Sequence, residues 1–242
     1  MARIGIIGSE GRMGQALVTA VSAAGADLSG GIDIGGDPLV LARVSDALVD
    51  FSSRMALEAN LEAAIAAGIP ILVGTTGLEE RHHWLCDQAA EKIAVLQTGN
   101  TSLGVNMLAH LVREAASRLG EDWDIEIAET HHRMKVDAPS GTALLLGEAA
   151  AKGRGIDLAS ASERGRDGIT GARQRGAIGF ASLRGGLVAG DHTVHLLSDY
   201  EHISLRHHAE DRIVFAHGAV KAAQWLVGKG AGRYSMSEVL GL

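Results

Sequence analysis

Five short apolar runs punctuate the first hundred residues, and helix-spaced stretches separate them. "RIGIIG" (3–8) is β-branched and ends in glycine. Met13, Ala16, Leu17, Ala20, Val21 and Ala24 then recur at helical spacing, with Gly25 as a stop. "LSGGID" (28–33) predicts a second strand and "ALVDF" (47–51) a third, with Ser52 or Ser53 capping a helix through Leu57, Leu61, Ala64 and Ile65. "IPILVG" (69–74) predicts a fourth strand, residues 79–91 a helix, and "IAVLQT" (93–98) a fifth strand. Strands alternating with helices imply an α/β fold with a Rossmann-like, doubly wound parallel sheet.

The pattern changes after residue 100. A long helix fits 104–119, and "DIEIAET" (124–130) alternates polar with apolar as a half-exposed strand does. A helix near 141–152 leads into a Gly- and Arg-rich, turn-prone stretch, 153–176. Three strand-like runs follow, "AIGFASLRGG", "LVAGDHTVHLLS" and "HISLRHH", with no helix between them. They predict a second, α+β domain with an open mixed sheet, one face of which must be covered. "HGAVKAAQWLVG" (217–228) returns to helix. The chain therefore divides into residues 1–101 with 213–242, a dinucleotide-binding domain, and residues 102–212, a substrate-binding domain.

Composition narrows the class. The 242 residues are 46% hydrophobic, enough for a sizeable core, and the net charge of −7 argues against a nucleic-acid partner. Cys86 is the one cysteine, so no internal disulfide forms, and it reads as a small buried apolar residue. No apolar run reaches the ~18 residues of a membrane span. The apolar run in "MARIGIIGSEG" is too short for a secretion signal. The expectation is a cytoplasmic protein with no membrane partner.

The first strand runs into "GSEGRMG", with glycines at 8, 11 and 14. Glycines allow a tight turn and close approach to a ligand, and the next helix offers unpaired N–H groups to a pyrophosphate. Asp33 follows Gly14 by 19 residues, at the end of the second strand, where a carboxylate bonds the adenosine ribose. "VGTTG" (73–77) either lines the nicotinamide side of the same crevice or caps the next helix through Thr75 or Thr76.

The most polar stretch is "ETHHRMKVDAPSGTA" (129–143). His131 and His132 are adjacent on an extended segment and point to opposite sides, which disfavours a shared metal site. Lys135 lies four positions beyond His131 in a loop, because Pro139 keeps Ala138 out of helix. Ser140, Gly141 and Thr142 open a helix whose free N–H groups and two hydroxyls suit a carboxylate. An imidazole, an ammonium and an anion cradle together fit an anionic small substrate that needs proton transfer. The isolated His110, His202 and His217 read as structural.

"GSEGRMG", "DFSS", "GTTG", "NTSLGVN" and above all His-His-x-x-Lys-x-Asp-x-Pro-Ser-Gly-Thr resemble the dihydrodipicolinate reductase family, along with "RGG" and "GDHTV" (184–194). The resemblance implies reduction of 4-hydroxy-tetrahydrodipicolinate to tetrahydrodipicolinate by NADH or NADPH, with loss of water, in diaminopimelate and lysine biosynthesis. It implies His131 and Lys135 as proton-transfer groups. It gives the dicarboxylate to His132, Lys135, Ser140, Gly141 and Thr142. It gives the cofactor to Gly8, Ser9, Glu10, Gly11, Arg12, Met13, Asp33, Gly74, Thr75, Thr76, Thr98, Gly99, Asn100 and Thr101. It also implies a homotetramer joined through the second-domain sheets. The chain departs from the family in having Ser52 for a common threonine and Thr101 for a common aromatic residue.

Asp33 predicts which cofactor is used. It accepts from a ribose hydroxyl and repels a 2′-phosphate, and Ile34, Gly35, Gly36 and Asp37 supply no cation. Glu10 adds negative charge, while Arg12 and Arg43 are the nearby cations. The expectation is NADH preferred and NADPH usable. The rival readings are a dinucleotide sensor without chemistry, which has no use for proton donors, and another nicotinamide-dependent reductase, which does not need the Ser-Gly-Thr cradle.

Overall fold

A computed structural model describes residues 1–242. The chain forms two units, Met1–Leu103 with Arg212–Leu242, and Gly104–Asp211.

The first unit carries β1 (Arg3–Ile7), α1 (Arg12–Ala23), β2 (Asp27–Ile32), α2 (Pro38–Val44), β3 (Ala47–Asp50), α3 (Leu57–Ala67), β4 (Ile71–Val73), α4 (Glu80–Ala90) and β5 (Ala94–Gln97). The second unit carries α5 (Leu103–Arg118), β6 (Asp124–His131), α6 (Gly141–Arg154), α7 (Leu158–Ala161), β7 (Ser162–Glu163), β8 (Ile178–Arg184), β9 (Gly190–Leu197) and β10 (His202–Ala209). The chain then returns to the first unit through α8 (Ile213–Leu226), β11 (Gly232–Tyr234) and α9 (Met236–Leu240).

The first sheet runs β11-β5-β4-β3-β1-β2, and every pairing is parallel. Its inner strands β1, β3, β4 and β5 are apolar on both faces because both are covered. Ile4, Ile6, Val49, Leu72 and Leu96 pack with α1 and α8 through Leu17, Val21 and Val220. Their strand neighbours Ile7, Leu48, Ile71, Val73 and Val95 pack on the other face with Leu41, Leu57, Leu61 and Cys86. The expected doubly wound sheet is thus present, and Cys86 is part of its core.

Two capping expectations do not hold. Neither Ser52 nor Ser53 caps α3; its N-cap is Ala56, with no side-chain bond. The buried Asp50 takes the Ser52 amide and hydroxyl instead, at 2.9 and 2.6 Å, and the Ser53 hydroxyl serves Met55 N–H. Neither Thr75 nor Thr76 caps α4, whose capping box is Glu79 with His82.

The second sheet runs β10-β9-β6-β8-β7, with β8 parallel to β6 and β7 and β9 antiparallel to β6 and β10. One face is covered by α5 and α6, whose Leu108, Val112, Leu146 and Ala150 meet Ile125, Ile127, Phe180 and Val194. The other face carries Ala181 and Leu183 exposed, with Ser204, Arg206 and His208 opposite His195, Thr193 and Asp191. The Gly- and Arg-rich stretch is pinned rather than loose. Arg166 bridges Glu126 and Glu163, and Arg173 bridges Asp124 and Glu126 while donating to Ile125 and Ala177 carbonyls.

Candidate active site

In β6 the side-chain period of two puts Ile125, Ile127, Glu129 and His131 on one face. The first two are core. The same face then turns polar, and register supplies its neighbours. Glu129 pairs with Ser182 of β8 and His192 of β9, and His131 pairs with Arg184 of β8. Glu129 is 1% exposed. Its Oε2 lies 2.5 Å from His131 Nδ1, and both its oxygens accept from Arg184, each at 2.8 Å. The Ser140 amide donates to Oε1 at 3.3 Å. Burial works to raise the Glu129 pKa, but hydrogen bonds from Arg184, Ser182 and His131 outweigh it and hold it at about 2. The carboxylate is therefore ionised.

His131 is pulled the other way. Burial lowers its pKa, as do the Lys135 and Arg184 charges, while Glu129 opposes them. The His192 ring meets it edge-on at 4.9 Å between centroids. Burial pushes His192 down to about 4, so it is neutral, and its Nε2 lies 2.9 Å from Ser140 Oγ.

Ser140 is the N-cap of α6, and its Oγ accepts from Ala143 N–H at 3.1 Å. Its amide is on Glu129 and its buried hydroxyl is shared by Ala143 and His192. Gly141 is exposed, and a Cβ there would meet no atom within 4 Å, so the helix N-terminus is open. Lys135 sits on the turn after β6, its Nζ 2.8 Å from Asp137 Oδ1. His132 is half-buried and its N–H donates to Val188, whereas His131 is buried, so the two histidines are placed differently.

In the first unit the glycine loop joins β1 to α1. Gly8 has φ +84°, and a Cβ on Gly14 would lie 2.1 Å from Gly8 O. Only glycine fits either place. Gly11 caps α1 with no side-chain bond, which leaves the first amides of the helix open to an anion. The Asp33 carboxylate holds the loop by accepting from Glu10 and Ile34 amides. A cavity of about 780 Å³ runs from Gly8 and Gly11 past Asp33 to Phe51 and Asn60, with Glu10 and Asp33 as its charged lining and no lysine or arginine. This is the carboxyl edge of β1, β2 and β3, where the strand order reverses and such sheets bind ligands.

The remaining cofactor candidates divide. Ser9 is turned inward and donates to Ile32 O at 3.3 Å. Thr75 donates to Asp50 Oδ1, while Thr76 is exposed. Gly74 packs on the Phe51 ring, which a Cβ would strike at 2.3 Å. Thr98 and Asn100 bond one another, and Thr101 donates to Phe215 O at 2.7 Å. Thr101 is 2% exposed. Asp50, Glu129, Arg184 and His192 lie within the sequence motifs, but the sequence assigns them no role. The signal for Glu129 was present, because it shares parity with Ile125 and Ile127 and an inward carboxylate needs a cation.

The fold defines a class, the two-unit α/β proteins built from a Rossmann-type dinucleotide-binding sheet and a second mixed-sheet unit. Comparison with known proteins carries this to a family. The sequence model described as "Dihydrodipicolinate reductase, N-terminus" matches residues 2–101, and that described as "Dihydrodipicolinate reductase, C-terminus" matches residues 104–240. The chain belongs to the dihydrodipicolinate reductase family. A 4-hydroxy-tetrahydrodipicolinate reductase of Zymomonas mobilis is 56% identical over 247 residues, covering 99% of this chain and 97% of that protein. One from Rhodopseudomonas palustris is 49% identical over 264 residues with the same coverage. Among solved structures, dipicolinate-bound dihydrodipicolinate reductase from Paenisporosarcina sp. TG-14 shares the fold at a TM-score of 0.78 and 20% identity, covering 98% of each chain.

Proposed function

We propose that the chain reduces 4-hydroxy-tetrahydrodipicolinate to tetrahydrodipicolinate with a nicotinamide dinucleotide and loss of water, a step of diaminopimelate and lysine biosynthesis in the cytoplasm. Family membership along nearly the whole chain, with the segment from His131 to Thr142 uninterrupted, carries this reading.

The residues fit the cofactor. The open amides of α1, the two glycines that admit no Cβ and the Asp33 carboxylate suit a pyrophosphate and a ribose. Gly8, Glu10, Gly11, Arg12 and Met13 would hold it with Asp33, and Gly74, Thr76 and Gly99 would line its nicotinamide end. Once bound, the cofactor supplies the hydride. Loss of water requires a proton on the leaving hydroxyl and removal of a ring proton beside it, and hydride addition requires a proton in return. His131 and Lys135 are the groups for these transfers. His132, Lys135, Gly141 and Thr142 hold the two carboxylates, with the α6 N-terminus adding its dipole. Ser140 fixes the turn.

The test is NADH oxidation when the purified protein is supplied with the product of the preceding synthase. No oxidation above background would sink the reading. Lys135→Ala should lose about 10²-fold or more in kcat/KM, since a charge-assisted contact and acid catalysis go together, while NADH affinity stays unchanged. Turnover within a few-fold of wild type would remove Lys135 from the role.

A further inference from the structure

We infer that Glu129 and Arg184 are positioning residues for the proton transfer: the buried carboxylate fixes His131 as the Nδ1–H tautomer, and Arg184 keeps that carboxylate ionised and in place. This rests on His131 being a proton-transfer group.

An ionised carboxylate only accepts hydrogen bonds, so the ring nitrogen 2.5 Å from Glu129 Oε2 must carry its hydrogen. Nε2 is then the nitrogen free to take or give a proton. A Cβ on Gly190 would lie 3.2 Å from that Nε2, so the glycine of β9 leaves this edge of the ring uncrowded. Glu129 could not stay ionised at 1% exposure alone, because an unpaired buried carboxylate takes up a proton instead. Arg184 prevents this with a two-pronged contact that also sets the carboxylate plane. The guanidinium is itself tied to Asp137 O at 2.7 Å and Leu183 O at 2.6 Å. The charged and titratable groups facing His131 are thus Glu129 from its own strand, Arg184 from β8, His192 from β9 and Lys135 from the following turn. Arg184 has a second consequence. By neutralising Glu129 it stops the carboxylate from making the imidazole strongly basic, so the ring remains able both to accept and to release a proton.

Glu129→Gln provides the test. Its carbonyl, in the place of Oε1, would keep one Arg184 donor and the Ser140 amide, while its NH₂, in the place of Oε2, would lose the second Arg184 contact and face Nδ1, forcing the Nε2–H tautomer. Two-bond ¹⁵N–¹H correlation spectra of the full-length protein labelled at histidine report the tautomer directly. The expected result is Nδ1–H for neutral His131 in the wild type and Nε2–H in the variant. The variant's kcat should fall about 10²-fold, with KM for the synthase product and Kd for NADH within about threefold. Glu129→Asp should recover part of kcat. Two results would overturn the inference: an Nε2–H tautomer in the wild type, or kcat of Glu129→Gln within a few-fold of wild type. If Glu129→Gln does not fold, the wild-type tautomer decides. His131→Ala separates the two claims: if that variant retains activity, the assignment of His131 fails while the tautomer still judges the positioning.

Discussion

At the scale of single residues, the second unit concentrates its unusual chemistry in three inward-facing side chains of one register row and its neighbour: Glu129, His192 and His131. Their burial makes stability depend on pH. His192 has a folded pKa of about 4, below its ordinary value near 6.5, so the folded state binds fewer protons than the unfolded one. Its contribution is complete above about pH 6.5 and is lost as pH falls toward 4. One proton corresponds to a slope of about 1.4 kcal/mol per pH unit. Buried His131 and half-buried His207 are shifted in the same direction and add to it. Glu129 adds a further loss below about pH 4.5, as it titrates toward its folded value of about 2. His192→Asn keeps a hydrogen-bonding partner for the Ser140 hydroxyl and removes the titration. Denaturant unfolding across this pH range should show a shallower slope for the variant, and an unchanged slope would mean that His192 is not held neutral.

At the scale of elements, what the sequence disclosed follows from coverage. Strands β1, β3, β4 and β5 are buried on both faces, so each reads as an uninterrupted apolar run. The three-residue β11, "GRY", has no such signal, and its pairing with β5 is a tertiary event. Helix α2 has only seven residues after its Asp37 cap and no full apolar face. Helix α8 starts at Ile213, four residues before the helical spacing becomes clear, because "IVF" is β-branched and aromatic and reads as strand. The site divides in the same way. His131, Lys135 and the start of α6 lie within one short segment, so local sequence reveals them. Glu129 and Arg184, 55 residues apart, meet only through strand register, and Ser140 and His192, 52 apart, only where the start of α6 packs against β9. The glycine loop carries its own prediction. The cavity beside it is lined by Glu10 and Asp33 with no cation, so a 2′-phosphate finds only like charge there. The kcat/KM for NADH should exceed that for NADPH, measured at low salt where the repulsion is least screened. A tenfold preference for NADPH, about 1.4 kcal/mol the other way, would require Arg12 or Arg43 to swing into this cavity.

At the scale of the whole molecule, the second sheet has a covered face and an uncovered one. Leu183 is 57% exposed, and the uncovered face mixes Ala181, Thr193 and Leu183 with charged groups of β10. An antiparallel sheet tolerates water on one side, yet exposed apolar side chains of this size commonly mark association. Four chains joined through these sheets are expected. Light scattering at micromolar concentration should return four times the mass of one chain, and a particle of single-chain mass would exclude the assembly.

The alternation along β6 has a genetic consequence. Position parity, not distance along the chain, decides whether a side chain reaches the Arg184 side of the sheet or the opposite one. Inserting one codon upstream within β6 would present Ala128 and Thr130 where Glu129 and His131 now stand, without altering a single chemical group. Substitutions along this strand can be gradual, but changes of length cannot. Lineages carrying this enzyme should therefore accumulate insertions and deletions in the surface stretch between β7 and β8, where parity has no meaning, and almost none in the eight residues from Asp124 to His131.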